Sequence, residues 1–193
     1  MKMNKTNINS SVNTKQGFTL IELLIVIAVL GVLAAVILVA INPLEQLARG
    51  RDSGRKSSVS QLGNAIQAYY TAQNGVYPVA TASVWGTTTL TSAGEIKVMP
   101  QNPAASYTAN NASWGSCTSP AMIDSGFCYN TGNDGSGHPA GLIYIKMESG
   151  SEASKCGLAA NTWYVWDSTV GQAGIYCNAS EPTVTSTFTS LVP

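Results

Sequence analysis

Hydrophobic and polar positions divide the chain into an apolar run, an amphipathic run and a carboxyl-terminal part of short alternating segments. Residues 18–41 form a long apolar run, and Glu22 is the only charged residue among these 24. A bilayer core of roughly 30 Å needs about 20 apolar residues in a helix, whereas the apolar region of an ordinary secretory signal has only about 7–15. Residues 18–42 are therefore predicted to form a transmembrane helix.

Beyond Pro43 the pattern becomes amphipathic. Apolar residues recur at spacings near three and four, which predicts one buried helix face. The residues on this face are Leu44, Leu47, Val59, Leu62, Ile66 and Tyr69 or Tyr70. Since Asn74-Gly75 is typical of a helix C-cap, a second helix is predicted over residues 43–75.

Three glycines and one proline are expected to weaken these helices. Gly31 lies inside the apolar run, and a glycine costs about 1 kcal/mol relative to alanine in a helix. Pro43 lacks a backbone N–H and is predicted to kink or end the first helix. Gly50 and Gly54 interrupt the amphipathic pattern, so residues 49–56 are expected to be its weakest part.

Residues 76–193 are predicted to form a β-rich head domain, because short β-rich runs alternate there with turn residues. Strands are predicted at residues 84–90, 96–99, 142–147, 163–166 and 174–177. The last three are expected to form an antiparallel meander on which helix residues 59–70 pack. A loop is predicted at 110–120, a turn at 130–137, and an edge strand or a glycosylated end at 183–191. The fold class is α+β, with a long amino-terminal helix packed on a small antiparallel sheet.

Glu22 needs a partner, because a carboxylate costs on the order of 2.5–3.5 kcal/mol at the centre of a membrane helix. No Lys, Arg or His lies between Gly17 and Arg49. Cleavage after Gly17 would place a cationic α-amine on Phe18, four residues before Glu22 and on the same helix face. In a staggered stack of identical helices, the amine of one copy would neutralise the carboxylate of the next. This interpretation implies a polymer.

The motif GFTLIE at residues 17–22, followed by the apolar run, resembles the class III signal of the type IV pilin and type II secretion pseudopilin superfamily. The resemblance covers about residues 15–78. It implies that a prepilin peptidase cuts between Gly17 and Phe18 and methylates the new amine. It also implies that Glu22 aligns each subunit in a helical filament.

The resemblance also gives a role to the two helix-weakening positions of the apolar run. In the family such Gly and Pro positions are where the helix bends or melts during assembly, and Gly31 and Pro43 would have that role here. Pro43 lies about one turn later than the proline of many family members. Residues 1–17 carry Lys2, Lys5 and Lys15 without an acid, and we interpret them as a leader peptide.

The positive-inside rule does not decide the orientation, because cations follow the span as closely as they precede it. The cleavage-site resemblance and the downstream cysteines place the amino end in the cytoplasm. The precursor is therefore expected to be a single-pass protein of the cytoplasmic membrane with its carboxyl part outside. The assembled filament is expected to be extracellular or periplasmic.

All four cysteines lie in the carboxyl half of the chain. An even count in an exported protein suggests disulfides, although the sequence alone allows three connectivities. We favour Cys117–Cys128 and Cys156–Cys177, because each pair joins neighbouring segments. Zinc is the rival explanation, and the absence of any C-x-x-C pair disfavours it.

Composition and candidate chemistry argue for a structural role. The net charge is zero and charged residues make up 10% of the chain, so there is no electrostatic footprint for nucleic acid. His138 is the only histidine, and no histidine-containing triad exists without it; an enzyme is not predicted. Asn130, Asn133 and Asp134 could supply oxygens to calcium, as a comparable loop does in some pseudopilins, but a simple turn is favoured and no cofactor is expected.

The predicted function is that of a pilin, the structural subunit of a type IV pilus-like filament. Its expected partners are other copies of the chain, minor pilins, the prepilin peptidase and methyltransferase, the lipid bilayer, and an inner-membrane assembly platform with a cytoplasmic ATPase. One alternative is the major pseudopilin of a type II secretion system. A second alternative is a membrane-anchored binding domain that does not polymerise.

Overall fold

The computed structural model describes residues 17–79, 85–103, 117, 122–157 and 161–185. The chain divides into two compact units, Met1–Pro43 and Leu44–Pro193. Most of the predicted leader, most of the predicted loop at 110–120 and residues 186–191 of the predicted tail lie outside the described residues. Residues 183–185 of that tail are described, and they are not in a strand.

The first unit contains helix α1, Leu20–Ala40, which has no buried residue within the single chain. Ile41 is extended and ends the helix, donating its backbone N–H to the Ile37 carbonyl at 3.0 Å. Gly31 lies in the helix interior without interrupting it. Within the described residues, α1 is the one helix long and apolar enough to cross a membrane.

Helix α2, Pro43–Ala72, begins with the proline that the sequence singled out. Proline suits the first helical position, because the N–H it lacks would have no intrahelical acceptor there. The prediction that the apolar helix ends near Pro43 is confirmed. At the other end, Asn74 and Gly75 both have positive φ, and the Gly75 N–H donates to the Tyr70 carbonyl at 2.9 Å. The predicted C-cap is therefore present.

The buried face of α2 differs from the prediction in its first turns. Leu44 and Leu47 are 74% and 59% exposed, while the neighbouring Ala48 is buried. The buried positions continue through Asp52 and Arg55, so polar residues occupy much of the inward face before Val59, and the predicted Leu44 and Leu47 are not on it. The helix is also unbroken across residues 49–56.

Five antiparallel strands follow, each paired with its neighbour in chain order. They are β1 Met122–Asp124, β2 Phe127–Asn133, β3 Pro139–Lys146, β4 Asn161–Asp167 and β5 Gln172–Asn178. A four-residue helix, α3 Gly150–Ala153, lies between β3 and β4. The predicted meander of three strands corresponds to β3, β4 and β5 and is confirmed. The predicted turn at 130–137 is wrong in its first half, because residues 130–133 continue β2 and pair with β3.

Two predicted strands are absent from the described part of their positions, and residue 84 of the first lies outside the described residues. Residues 85–90 form a π-helix in which both Trp85 and Leu90 are buried. A strand would direct these two side chains to opposite faces, because their separation is odd. Residues 96–99 are also not a strand. Ile96 and Met99 are both buried while the two residues between them are exposed, which is not the alternation of a strand.

The main core lies between α2 and one face of the sheet. Val59, Leu62 and Ile66 of the helix join the alternate strand residues that face them, Tyr129, Ile143, Ile145, Trp166 and Ile175. The helix and the sheet approach closely at Gly63, where an added Cβ would lie 2.4 Å from the Trp166 ring. The predicted packing of residues 59–70 on the meander is confirmed.

The opposite face of the sheet is buried as well. A second cluster there contains Cys128, Leu142, Tyr144, Trp163 and Val165, with Cys117 and Val184 packed against it. Burial on both faces explains why β3 and β4 are apolar at consecutive positions rather than at alternate ones.

Disulfides join Cys117 to Cys128 and Cys156 to Cys177, and they account for all four cysteines of the chain. This is the connectivity favoured from the sequence. The first bond holds the segment at residue 117 to β2. The second holds the residues after α3 to β5.

Candidate assembly site at the start of the apolar helix

The predicted cleavage site lies directly before α1. Gly17, Phe18 and Thr19 are not helical, and the Phe18 side chain is 89% exposed. Thr19 is the N-cap, with the extended backbone typical of that position. The peptide bond after Gly17 is therefore in an exposed segment outside the helix.

Glu22 and Thr19 form a capping box. The Thr19 backbone N–H and the Thr19 hydroxyl both donate to Glu22 Oε2 at 2.8 Å. In return, the Glu22 N–H donates to Thr19 Oγ1 at 3.3 Å. The two side chains thus satisfy two backbone N–H groups that the helix itself leaves without partners.

Thr19 is the residue of this site that the sequence reasoning missed. The signal was present, because a threonine followed three residues later by a glutamate, directly before an apolar run, is the signature of a capping box. Thr19 is a neutral donor three residues before Glu22, whereas a cation would be needed for an ion pair.

The capping box supplies hydrogen bonds to only one of the two carboxylate oxygens of Glu22, Oε2. Among the described residues Glu22 forms no ion pair, and both Thr19 donors contact the same carboxylate oxygen. A cationic donor, such as an α-amine, has the chemistry to pair with this carboxylate.

The two helix-weakening positions differ in their surroundings. An added Cβ on Gly31 would meet nothing within 4 Å, so this glycine makes room for no neighbour among the residues that the structure describes. Pro43 is the first residue of α2, where a proline is well accommodated. Their roles in bending or melting stay predictions.

The candidate calcium ligands do not converge. Asn130 and Asn133 are three residues apart on β2 and so lie on opposite faces of that strand. The Asp134 carboxylate accepts the N–H groups of Ser136 and His138, both at 2.8 Å. The His138 N–H bond in particular holds the Asp134 pKa below its usual value. Asn130 and Asn133 therefore belong to a strand, and Asp134 to the tight turn that follows it.

Comparison with known protein families gives a match to the amino-terminal part of the chain. The family model of the prokaryotic N-terminal methylation motif matches residues 12–38. No curated protein and no solved structure matches the chain. The matched segment contains the predicted cleavage site, the capping box and most of α1. The motif, together with its apolar helix, supports a type IV pilin-like or pseudopilin precursor, and the proteins with this motif are structural rather than enzymatic.

Proposed function

We propose that this chain, a precursor with a prepilin-type amino-terminal motif, is the structural subunit of a type IV pilus-like filament. It is cut after Gly17, methylated on the amine of Phe18, and polymerised through its amino-terminal helix. The observation that carries the proposal is the match at residues 12–38 around a single acid, Glu22, in an otherwise apolar helix.

The exposure of α1 supports polymerisation. Every residue of this helix is exposed in the single chain, and an apolar surface of that size marks a contact with lipid or protein. Lipid would cover it in the precursor, with the amino end in the cytoplasm. Helices of other copies and of minor pilins would cover it in the filament, with the head outside the cytoplasmic membrane.

The local geometry supports the assembly role of Glu22. The bonds from Thr19 hold the carboxylate at the amino end of α1, and removal of residues 1–17 would place an α-amine at that same end. Since an ammonium and a carboxylate attract strongly in an apolar surrounding, the amine of one copy would set the axial position of the next. Processing and assembly would need a prepilin peptidase and a membrane platform driven by a cytoplasmic ATPase.

A pseudopilin of a type II secretion system carries the same motif and is the second candidate function. We place the pilus first on the cysteine-bearing carboxyl part of the head, which carries two disulfides. Since disulfides persist in the periplasm as well as outside the cell, fibre length decides between the two.

Intact mass of the mature protein and electron microscopy of the cells test this proposal together. We expect a chain that begins at a methylated Phe18, and long surface fibres that contain it. Short or absent fibres with a processed subunit would favour the pseudopilin. A mature protein that still begins at Met1 and remains monomeric would overturn both and favour a membrane-anchored binding domain.

Replacement of the acid tests its assembly role separately. The Glu22→Ala variant should still insert in the membrane and be processed but should yield few fibres, because the counter-charge for the amine is gone. Glu95→Ala removes an acid of the head and is the matched control. Normal fibre yield from Glu22→Ala would contradict the role given to Glu22.

A further inference from the structure

The two halves of α2 are held to the head by different kinds of contact. From Val59 onward, the buried residues of the helix are mostly apolar. Before Val59, the buried residues are Ala48, Asp52 and Arg55. The amino-terminal half is therefore attached chiefly by polar groups and the carboxyl-terminal half by hydrophobic packing.

At the centre of the polar half is a buried ion pair. Arg55 and Asp52 are 0% and 2% exposed, and Arg55 Nη1 lies 2.7 Å from Asp52 Oδ1. Asp52 also accepts the backbone N–H of Ser149 at 2.7 Å, while Arg55 donates to Asn102 Oδ1 at 3.0 Å. Arg55 further pairs with Glu148 at 3.1 Å. One turn of α2 thus binds the segment that follows β3.

More ion pairs surround this centre. Glu148 also binds Arg51 through both of its carboxylate oxygens. Glu152 of α3 lies 2.6 Å from Lys56 and 3.2 Å from Lys155. At the start of α2, Glu45 accepts the N–H groups of Gly150 and Ser151, both at 3.0 Å, and so caps α3 from another element.

We propose that residues 45–56 of α2 and residues 148–155 form a polar clasp that opens without undocking the rest of α2 from the sheet. The carboxyl-terminal half keeps its apolar contacts when the clasp opens. The Cys156–Cys177 bond keeps the residues after α3 on β5 at the same time.

Opening the clasp would unwind the residues that it releases. Gly50 and Gly54 each cost about 1 kcal/mol of helix stability, and a helix shorter than about 12–15 residues is marginal in water. Each residue that leaves the helix lengthens the chain by about 2 Å, the difference between extended and helical rise. The clasp therefore controls the length of chain between Pro43 and the docked half of α2.

Low pH is one condition that would open the clasp, by protonating its carboxylates. Its carboxylates face cations and backbone N–H groups, and Tyr164 of β4 lies under Lys56, 5.7 Å from the ring centroid to Nζ. The charged groups that face one another among the described residues of the clasp are Glu45, Arg49, Arg51, Asp52, Arg55, Lys56, Glu148, Glu152 and Lys155.

Amide hydrogen exchange on the full chain in detergent micelles at neutral pH tests the clasp. In Glu148→Gln, peptides covering residues 44–56 should exchange faster by about tenfold or more, since charge-assisted bonds are lost. Peptides covering 59–72 should be unchanged. Glu95→Gln, which neutralises an acid outside the clasp, should change neither set.

Mapping of the disulfides would reveal whether Glu148→Gln folds. If it does not fold, a second pair of variants tests the clasp. Lys56→Met and Glu152→Gln remove the two partners of a half-buried pair. Each should accelerate exchange of residues 44–56. The double variant should do little more than Glu152→Gln alone, because the ion pair of Lys56 is already lost with that carboxylate. If exchange in both halves of α2 rises together, or in neither, the clasp is not an independent unit and the proposal is overturned.

Discussion

Thr19 directs its backbone N–H and its hydroxyl to the same oxygen of Glu22, at 2.8 Å each. This relationship gives the one acid of the apolar helix a fixed position before any second chain is present. A carboxylate that is already oriented has less conformational freedom to lose when it binds a cation.

The first prediction concerns Thr19. Thr19→Val keeps the shape of the side chain but removes the hydroxyl that caps the helix. Loss of an N-cap costs about 1 kcal/mol, so the Glu22 amide should exchange about fivefold faster in micelles. Thr19→Ser retains the hydroxyl and should behave as the wild type. Equal exchange in the Val and Ser variants would show that the capping box does not form in solution.

The second prediction concerns the close approach of α2 and β4. In Gly63→Ala the new Cβ would lie 2.4 Å from the Trp166 ring, so the helix or the ring must move. Overpacking of this kind costs about 1–3 kcal/mol, which should lower the thermal midpoint of the head. Gly50→Ala is the matched control in the same helix: nothing lies within 4 Å of its added Cβ, so it should stabilise the protein by roughly 0.5–1 kcal/mol.

The apolar parts of the fold were predictable from the sequence. The uninterrupted run before Pro43, the packing of residues 59–70 and the meander of β3, β4 and β5 all follow from periodicity. Neighbouring segments were also sufficient to favour the disulfide pairing. The apolar run and the meander are patterns within a segment or between neighbouring strands. The single apolar face of α2 predicts its packing, although the meander lies much further along the chain.

The polar contacts of α2 were not predictable in the same way. In the sequence alone, Arg51, Arg55 and Lys56 resemble the cations of an exposed helix turn. Their partners Glu148 and Glu152 lie about a hundred residues away in the chain, so no local pattern links them. Gly50 and Gly54 correctly indicated low helix propensity, but tertiary contacts override that propensity here. The π-helix at 85–90 was missed because a Thr-rich run between Trp and Leu has the composition of a strand.

The third prediction concerns the buried pair. Arg55→Met leaves Asp52 without its cation in a buried position, and breaking such a pair typically costs about 3–5 kcal/mol. Chemical denaturation of the head should show this loss. The double variant Arg55→Met with Asp52→Asn should lose less than the sum of the two single changes, because both act on one network. Strict additivity would mean that the two side chains do not interact in solution.

The last prediction is the acid dependence of stability. The Arg51 hydrogen bonds lower the Glu148 pKa despite partial burial. The Gly150 and Ser151 N–H groups lower the Glu45 pKa. Burial raises the Glu152 pKa, but the bonds from Lys56 and Lys155 outweigh it and the net direction is downward.

A carboxylate with a lowered folded-state pKa stabilises the protein fully above its unfolded pKa, about 4.3 for a glutamate, and loses that contribution as the pH falls through its folded pKa. The free energy of unfolding should therefore be level from about pH 7 to pH 5 and fall below about pH 4. Exchange of residues 44–56, corrected for intrinsic rates, should rise in the same range before that of residues 59–72. Glu148→Gln should reduce the acid-dependent loss, because one of the titrating groups is absent, whereas Glu95→Gln should retain it. If the free energy of unfolding is lost only at pH values above about 5, or if its loss below about pH 4 is equal in Glu148→Gln and Glu95→Gln, the clasp carboxylates are not the groups responsible.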